Sequence, residues 1–407
     1  MDRVTNFENM HFGIFIHFGL FSMADQGEWT WLMDPEERKN YQQRFETFNP
    51  SNLNWHEIVR MAKNAGCRYI TLTTRHHDGF SLYDTRGLNN YDVMHTPYHK
   101  DIVKEFVEEC RRQEITPFLY HTTLDWQNQL FENNFPAYQK YLRDSIEILC
   151  RNYGDIGGFW FDGNWSKREM DWEEDALYSM IRSYQPNAIL INNSGLSKRG
   201  QRGNPYLDTL TFEQGEINDT GSRDNGRHLA MEACQTMNHH WGAAENDLDY
   251  KTPRALIEML NTCRRQNANY LLNIGLKGDG SVPIMSQALL HEVGIWTTMA
   301  SESFYTGTLS TVKAENGVYG LDNETYTDLY CPDIPLLGVK NVVEETTDFK
   351  SNMTLTGAVK EAKSIHWLDS GEELKFVQNG LQIQLNATGF PYGRDLIVRI
   401  ARIQWKG

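Results

Sequence analysis

The sequence predicts an α/β protein: a (β/α)8 TIM-like barrel over residues 1–300, followed by a C-terminal antiparallel β-sandwich over 301–407. Three observations carry that expectation. Apolar β-like runs alternate with amphipathic helical stretches through the first part of the chain. The runs number eight, which is what a parallel barrel needs. Beyond Ser301 the helical period gives way to strand-like alternation.

Taken in order, strands are expected over 12–18, 69–74, 116–121, 158–161, 188–192, 209–212, 229–235 and 270–274. Helical periods fall over 54–64, 100–113, 137–152, 173–184, 252–266 and 287–300. The connections between the fifth and seventh strands are less regular, because 195–205 and 215–226 read as polar loops. In the C-terminal part, 374–385 reads as a hairpin with a type I′ turn at Asn379-Gly380. In the last strand Leu396, Val398 and Ile400 alternate with Ile397, Arg399 and Ala401.

Composition narrows the partners. Apolar residues make up 40% and charged residues 23%, which is ordinary for a globular chain with a large core. Lys and Arg total 39 against 54 Asp and Glu, a net charge of −15 that repels phosphate backbones and anionic lipid. Nucleic acid and membrane surfaces are therefore not expected as partners, while a homo-oligomer is left open. The 11 Trp, 19 Tyr and 19 Phe supply flat faces that suit sugar rings as well as cores. Six cysteines without CxxC spacing offer neither a disulfide framework nor a zinc set, and they read as buried thiols. The N-terminus lacks the basic start and cleavage site of a signal peptide. A cytoplasmic location is expected on that reading, or a periplasmic or secreted one had a leader been removed.

In a parallel barrel, reactive groups sit where strands end and βα loops begin. Asp162 stands at such an end, after Phe159-Trp160-Phe161 and before Gly163. A carboxylate among aromatics is costly without partners or a task, and a nucleophile or general base is the functional reading. A second carboxylate is needed to define a reaction. Candidates are Glu213 on the sixth strand, Glu216 just beyond it, Glu232 on the seventh and Glu28 after the first. A pair about 5–5.5 Å apart would retain configuration at a sugar, and a gap of ~6.5–9.5 Å would invert it. Adjacent His76 and His77 invite a metal, but neighbouring residues on a strand alternate faces and no further ligand cluster is visible. They read instead as hydrogen-bond donors to substrate hydroxyls, and no metal is expected. Neither a Gly-x-Ser-x-Gly elbow nor a Walker loop occurs.

These residues, in this order, resemble the α-L-fucosidases of glycoside hydrolase family 29. Phe12-Gly-Ile-Phe-Ile-His-Phe-Gly19 is similar to the family's opening FGIFIHWG, with Phe18 in place of its Trp. Tyr69-Ile-Thr-Leu-Thr-Thr-Arg-His-His-Asp-Gly-Phe80, Tyr120-His-Thr-Thr-Leu-Asp-Trp126 and Phe159-Trp-Phe-Asp-Gly-Asn-Trp165 follow. Glu232 through Trp241-Gly242 and Asn269-Tyr-Leu-Leu-Asn-Ile-Gly275 close the barrel. The resemblance implies that Asp162 is the nucleophile and that His17, His76 and His77 bind sugar hydroxyls. It places Glu28 on hydroxyls and Trp29 near the C5 methyl, with Phe15, Trp160 and Trp241 as further wall residues. His121 falls where the family carries Tyr or His. The family's Asn-Asp-Arg after strand five is replaced by Asn192-Asn193-Ser194, so Arg199 or Arg202 is expected to substitute.

For the acid/base the choice is Glu213, whose Thr211-Phe-Glu context resembles a Thr-Pro-Glu pattern found in part of the family. It lies two strands round from Asp162, so the two carboxylates can face each other across the sugar. The runners-up are Glu232, which reads as a support behind the site, and Glu216, which reads as a loop residue. The expectation is a retaining exo-α-L-fucosidase without cofactor, acting on fucosylated oligosaccharides or glycoconjugates. The alternatives are the same fold acting on another galacto-configured sugar, or an inactive carbohydrate-binding relative.

Overall fold

The computed structural model describes residues 2–193, 199–217, 226–334, 350–390 and 397–407. The chain divides into two compact units, Met1–Lys251 with Ala268–His291 and Thr252–Asn267 with Glu292–Gly407. The first unit holds eight strands: β1 (Phe12–His17), β2 (Tyr69–Arg75), β3 (Thr116–Thr122), β4 (Gly158–Asp162), β5 (Ile189–Asn192), β6 (Thr209–Glu213), β7 (Ala230–Thr236) and β8 (Asn269–Gly275). They pair in parallel in the order β5-β4-β3-β2-β1-β8-β7-β6, a nearly closed (β/α)8-like barrel. Each begins and ends within a residue of its expected bounds, because both faces are buried and the apolar runs are nearly continuous.

The floor of the barrel is plugged by the helix Arg3–Glu8, whose first amides donate to the Asp2 carboxylate. It brings Phe7 onto Tyr69 and Phe118, with centroids 5.4 and 5.3 Å apart. Tyr69 in turn fills the space in front of Gly13, where any Cβ would lie 2.5 Å from its ring. Above this layer Phe15, Tyr120 and Trp160 pack on one another at 5.2–5.7 Å.

Among the described residues no ladder joins β5 to β6. Asp208 spans that seam: its amide donates to Leu190 O (2.9 Å), and its Oδ2 accepts from Leu190 N (3.0 Å). A carboxylate thus replaces a strand residue as ladder partner. It is fully buried, with Arg3 at 3.0 Å, Arg182 and Arg227 around it.

Helix Pro35–Thr47 was not expected from the pattern. Its sequence is polar on nearly every side and buries only Tyr41, so no amphipathic period marks it. It is started instead by the Asp34 cap and by Pro35 in the first turn. Among the described residues, no helix is long and apolar enough to cross a membrane.

In the second unit five strands pair antiparallel in the spatial order Ala362–Trp367, Arg399–Trp405, Tyr326–Cys331, Tyr319–Asp322, Thr308–Lys313. A three-stranded antiparallel sheet orders Lys350–Leu355, Gln382–Thr388, Lys375–Asn379. Val312, Leu329 and Ile403 of the first share one core with Leu355, Ile383 and Leu385 of the second, the section of a β-sandwich. Two local expectations are corrected. Asn379 pairs with Gln382, so the hairpin turns at Gly380-Leu381, with positive φ (58°) at Gly380 alone. Glycine at the first central position is the type II′ arrangement, and the expected type I′ turn at Asn379-Gly380 is not formed. The last strand begins only at Arg399, because Val398 takes a left-handed φ of 57° that breaks the alternation. Leu396 lies outside the described residues.

Replacing Asp208 by Ala strands Arg182 without its buried partner and opens the β5–β6 seam. The expected cost is about 3–5 kcal/mol of stability, read by calorimetric unfolding, with Asp208→Asn losing less.

Candidate active site

Pleat alternation sends every second side chain of each strand into the barrel. The last inward positions of β1, β4 and β6 are His17, Asp162 and Glu213, and Asn193 follows directly on β5. They line a cavity at the mouth of the barrel. Its aromatic wall is Phe15, Trp29, Tyr120, Trp160, Trp165 and Trp241; Glu28, His76 and His77 complete its polar lining.

The two carboxylates are treated differently by their surroundings. Burial alone would raise the Asp162 pKa, but donors outweigh it and hold the carboxyl below its usual range. His77 contributes most, with Nε2 3.3 Å from Oδ2. Trp165 Nε1 donates to Oδ1 (2.8 Å) and the Tyr120 hydroxyl to Oδ2 (3.3 Å). The His77 ring is oriented from behind by Thr122 Oγ1, 2.7 Å from Nδ1. Glu213 is pushed up to about 7, by burial first and then by the charge of Asp162. A hydrogen bond from Asn193 and the nearby Arg199 guanidinium pull the other way.

Asn193 measures the gap between them. Its Nδ2 donates to Glu213 Oε2 and lies 3.4 Å from Asp162 Oδ1. Those two oxygens are therefore within about 6 Å of each other, close to the ~5–5.5 Å of a retaining pair and short of the inverting range.

Glu28 is buried beneath the rim, where Oε2 accepts from the amides of Trp241 (3.0 Å) and Gly242 (2.8 Å). Burial nonetheless raises its pKa. Asn273 on β8 ties the same corner together: its Oδ1 meets His17 Nδ1 (2.6 Å) and its Nδ2 donates to Trp241 O (2.7 Å). Burial pushes His17 down to about 3 and His76 well below its usual value, so both rings are neutral near pH 7. Among the described residues, His76 Nδ1 is buried without a protein partner. No group of three or more His, Cys, Asp and Glu there is placed to hold a metal ion.

The cavity brings together Phe15, His17, Glu28, Trp29, His76, His77, Trp160, Asp162, Glu213 and Trp241 as expected. Three candidates fall elsewhere. His121 points out of the barrel because it is one residue out of phase with Tyr120; it is fully buried against the Tyr83 hydroxyl (3.2 Å) and the Thr122 carbonyl (2.6 Å). Glu216 is exposed beyond Gly215 and does not line the cavity. Glu232 points inward but one layer below, accepting from Tyr69 OH (2.6 Å) and Trp160 Nε1 (2.8 Å), with burial pushing it up to about 7. It supports a wall residue and does not reach the cavity. Arg202 donates to the Arg227 carbonyl, and the Arg199 guanidinium favours the ionised form of Glu213.

Tyr120, Trp165 and Asn193 were missed. Period-two counting along β3 would have found Tyr120, which shares its inward phase with Phe118. Asn193 and Trp165 follow strand ends, where no period points to a side chain's direction.

An eight-stranded barrel whose mouth holds two close carboxyl groups in an aromatic cavity is the arrangement of a glycoside hydrolase. The chain belongs to the α-L-fucosidase family, whose model matches residues 2–302. It is 25% identical over 394 residues to an α-L-fucosidase of Dictyostelium discoideum, covering 86% of this chain and 82% of that one. It is also 25% identical over 396 residues to the human tissue α-L-fucosidase, covering 84% and 82%. The solved structure of α-L-fucosidase isoenzyme 1 from Paenibacillus thiaminolyticus superposes with a TM-score of 0.82 at 27% identity, covering 100% and 99% of the two chains.

Gly275 ends β8 under the loop that carries Trp241. A Cβ there would lie 2.3 Å from Ala243 N and 2.4 Å from the Gly242 carbonyl carbon. Gly275→Ala must lift that backbone, and with it the amides that hold Glu28. Roughly tenfold or greater loss in kcat/KM is expected, carried mainly by KM, in steady-state assays with an aryl α-L-fucoside.

Proposed function

We propose that the protein is a retaining exo-α-L-fucosidase that releases terminal α-linked L-fucose from oligosaccharides or glycoconjugates. Family membership supports the sugar. The observation that carries the mechanism is the Asn193 amide within reach of two carboxylates of unlike protonation, Asp162 and Glu213.

In the first step an Asp162 carboxylate oxygen attacks C1 from the β face while the C1–O bond to the leaving group breaks. Glu213 gives its proton to the departing oxygen. The product is a β-linked fucosyl ester on Asp162, and Asp162 no longer carries charge. The repulsion that raised Glu213 is then gone, so the Glu213 carboxylate becomes stable enough to take a proton from water. Water attacks C1, the ester bond breaks, Asp162 regains its charge and Glu213 its proton. Two inversions give net retention.

The neutral rings of His17 and His76 and the buried Glu28 carboxyl serve the sugar hydroxyls. His76 Nδ1, unpartnered among the described residues, is suited to one of them. Trp29 and the neighbouring indoles face the C5 methyl, a contact worth about 1 kcal/mol.

Asp162→Ala is expected to lose on the order of 10³-fold or more in kcat. Azide entering the vacated space attacks the α-fucoside directly, and NMR of the product should show the β-fucosyl azide. The α-azide would assign the nucleophile elsewhere.

With Glu213→Ala the first step should survive for good leaving groups and fail for poor ones. Azide then intercepts the fucosyl-enzyme to give the α-fucosyl azide. In the unaltered enzyme kcat/KM should fall as pH rises through about 7, when free Glu213 loses its proton. Asn193→Ala removes a hydrogen bond that favours the ionised form, so the alkaline limb should move upward. A limb that stays in place, or rescue of this type in Glu216→Ala or Glu232→Ala, contradicts the assignment.

A further inference from the structure

Trp165, which donates to Asp162 Oδ1 (2.8 Å), directly follows Asn164 in the chain. Asn193, which reaches both Asp162 and Glu213, directly follows Asn192. Asn164 and Asn192 are themselves buried, yet neither lines the cavity. Their side chains meet at one carboxyl group behind it. Glu174 Oε1 accepts from Asn164 Nδ2 (2.7 Å) and from Asn192 Nδ2 (3.3 Å). Tyr178, one turn further along the same helix, closes the cluster. Its hydroxyl accepts from Asn192 Nδ2 (2.7 Å) and lies 3.4 Å from Glu174 Oε1. A single oxygen thus joins the loop after β4 to the end of β5, 10 and 18 residues away in the chain.

Glu174 opens the helix Glu174–Tyr184, and an acidic residue in a first turn needs no further explanation by itself. Three observations go beyond that. Glu173 and Asp175 on either side are exposed, whereas Glu174 is half-buried and spends its Oε1 on two buried amides. The carbonyl ends of those amides, Asn164 Oδ1 and Asn192 Oδ1, are buried without a partner among the described residues. Each amide is therefore held by its NH2 end, and loss of the acceptor leaves it with an unmet donor as well as an unmet oxygen. Finally, neither asparagine can move alone. Asn164 and Trp165 share one short 3-10 turn, Asn164–Lys167, which starts at Gly163 and so has no side chain of its own to cap it. Asn192 is the last residue of β5, and pleat alternation turns Asn193 inward as Asn192 turns outward.

We propose that Glu174 is a positioning residue for the reaction: through Asn164 it holds Trp165 on Asp162, and through Asn192 it holds Asn193 between Asp162 and Glu213. The inference rests on the fucosidase reading above. What Glu174 contributes is an acceptor oxygen at a fixed place, and its charge is not required. Hydrogen bonds that keep a contacting group in place from behind act on the rate without touching the substrate.

Two substitutions of similar length separate acceptor from charge. Glu174→Gln keeps an acceptor oxygen, Glu174→Met has none, and both remove the charge and its interaction with the helix end. With an aryl α-L-fucoside, kcat/KM of Glu174→Met should fall roughly tenfold or more, while Glu174→Gln stays within about threefold of the unaltered enzyme. In an Asn193→Ala background the difference between Gln and Met should shrink to about threefold, because one of the two routes is already cut. The proposal is overturned if Gln falls as far as Met, if Met is as active as Gln, or if their difference is the same with and without Asn193. Should Glu174→Met not fold, Asn164→Ala and Asn192→Ala cut the two arms singly. Each should lose about threefold, and full activity in either overturns the proposal. An unaltered enzyme that leaves the fucoside intact refutes the fucosidase reading, and that failure shows before any variant is compared.

Discussion

Two half-buried carboxyl groups with oxygens within about 6 Å of each other cannot both be charged at low cost, and the surroundings decide which one is. Asp162 receives His77, Trp165 and Tyr120; Glu213 receives Asn193 and the more distant Arg199. The uneven distribution of donors holds the Asp162 carboxyl below its usual range and leaves that of Glu213 raised. The roles are therefore set by neighbours, since the two side chains differ by a single methylene. In the proposed mechanism the same coupling makes the second step follow from the first, because consuming the charge on Asp162 relaxes the field on Glu213.

That arrangement asks for accurate strand placement more than for any loop. Asp162 and Glu213 are the last inward residues of β4 and β6, and among the described residues no ladder joins β5 to β6 between them. Asp208, with its two bonds to Leu190, holds the seam, and Glu213 stands five residues further on. Behind the cavity Glu232 fixes the Trp160 indole, whose ring stacks on Tyr120, which in turn donates to Asp162. Rigid elements and a packed interior thus fix the positions of the two carboxyl groups, which is what proximity catalysis needs.

Much of this was legible in the sequence. The eight strands were visible because parallel strands buried on both faces are apolar along their length. Asp162 was visible because a carboxylate among three aromatics conflicts with its setting, and such conflicts mark working sites. The nearby histidines and tryptophans followed from strand ends and from the family resemblance. His121 was misplaced through neglect of phase: one residue along a strand reverses a side chain, and Tyr120 took the position. Asn193 escaped notice because an amide after a strand looks like any polar loop residue. Its importance lies in reaching two carboxylates from distant parts of the chain, which only the folded structure displays. The hairpin was misread for a similar reason, since the choice between Asn379-Gly380 and Gly380-Leu381 depends on the register of the flanking strands.

The central claim is that Asp162 carries the sugar between the two steps. A 2-deoxy-2-fluoro-α-L-fucosyl donor with a good leaving group slows both steps, and turnover of its ester more than its formation. Incubation followed by proteolysis and mass spectrometry locates the label. The account predicts one equivalent of fluorofucosyl group per chain, on the peptide carrying Asp162, and none in Asp162→Ala. Label on Glu213, Glu232 or Glu28, or steady turnover of the fluorinated donor by Asp162→Ala, would contradict it.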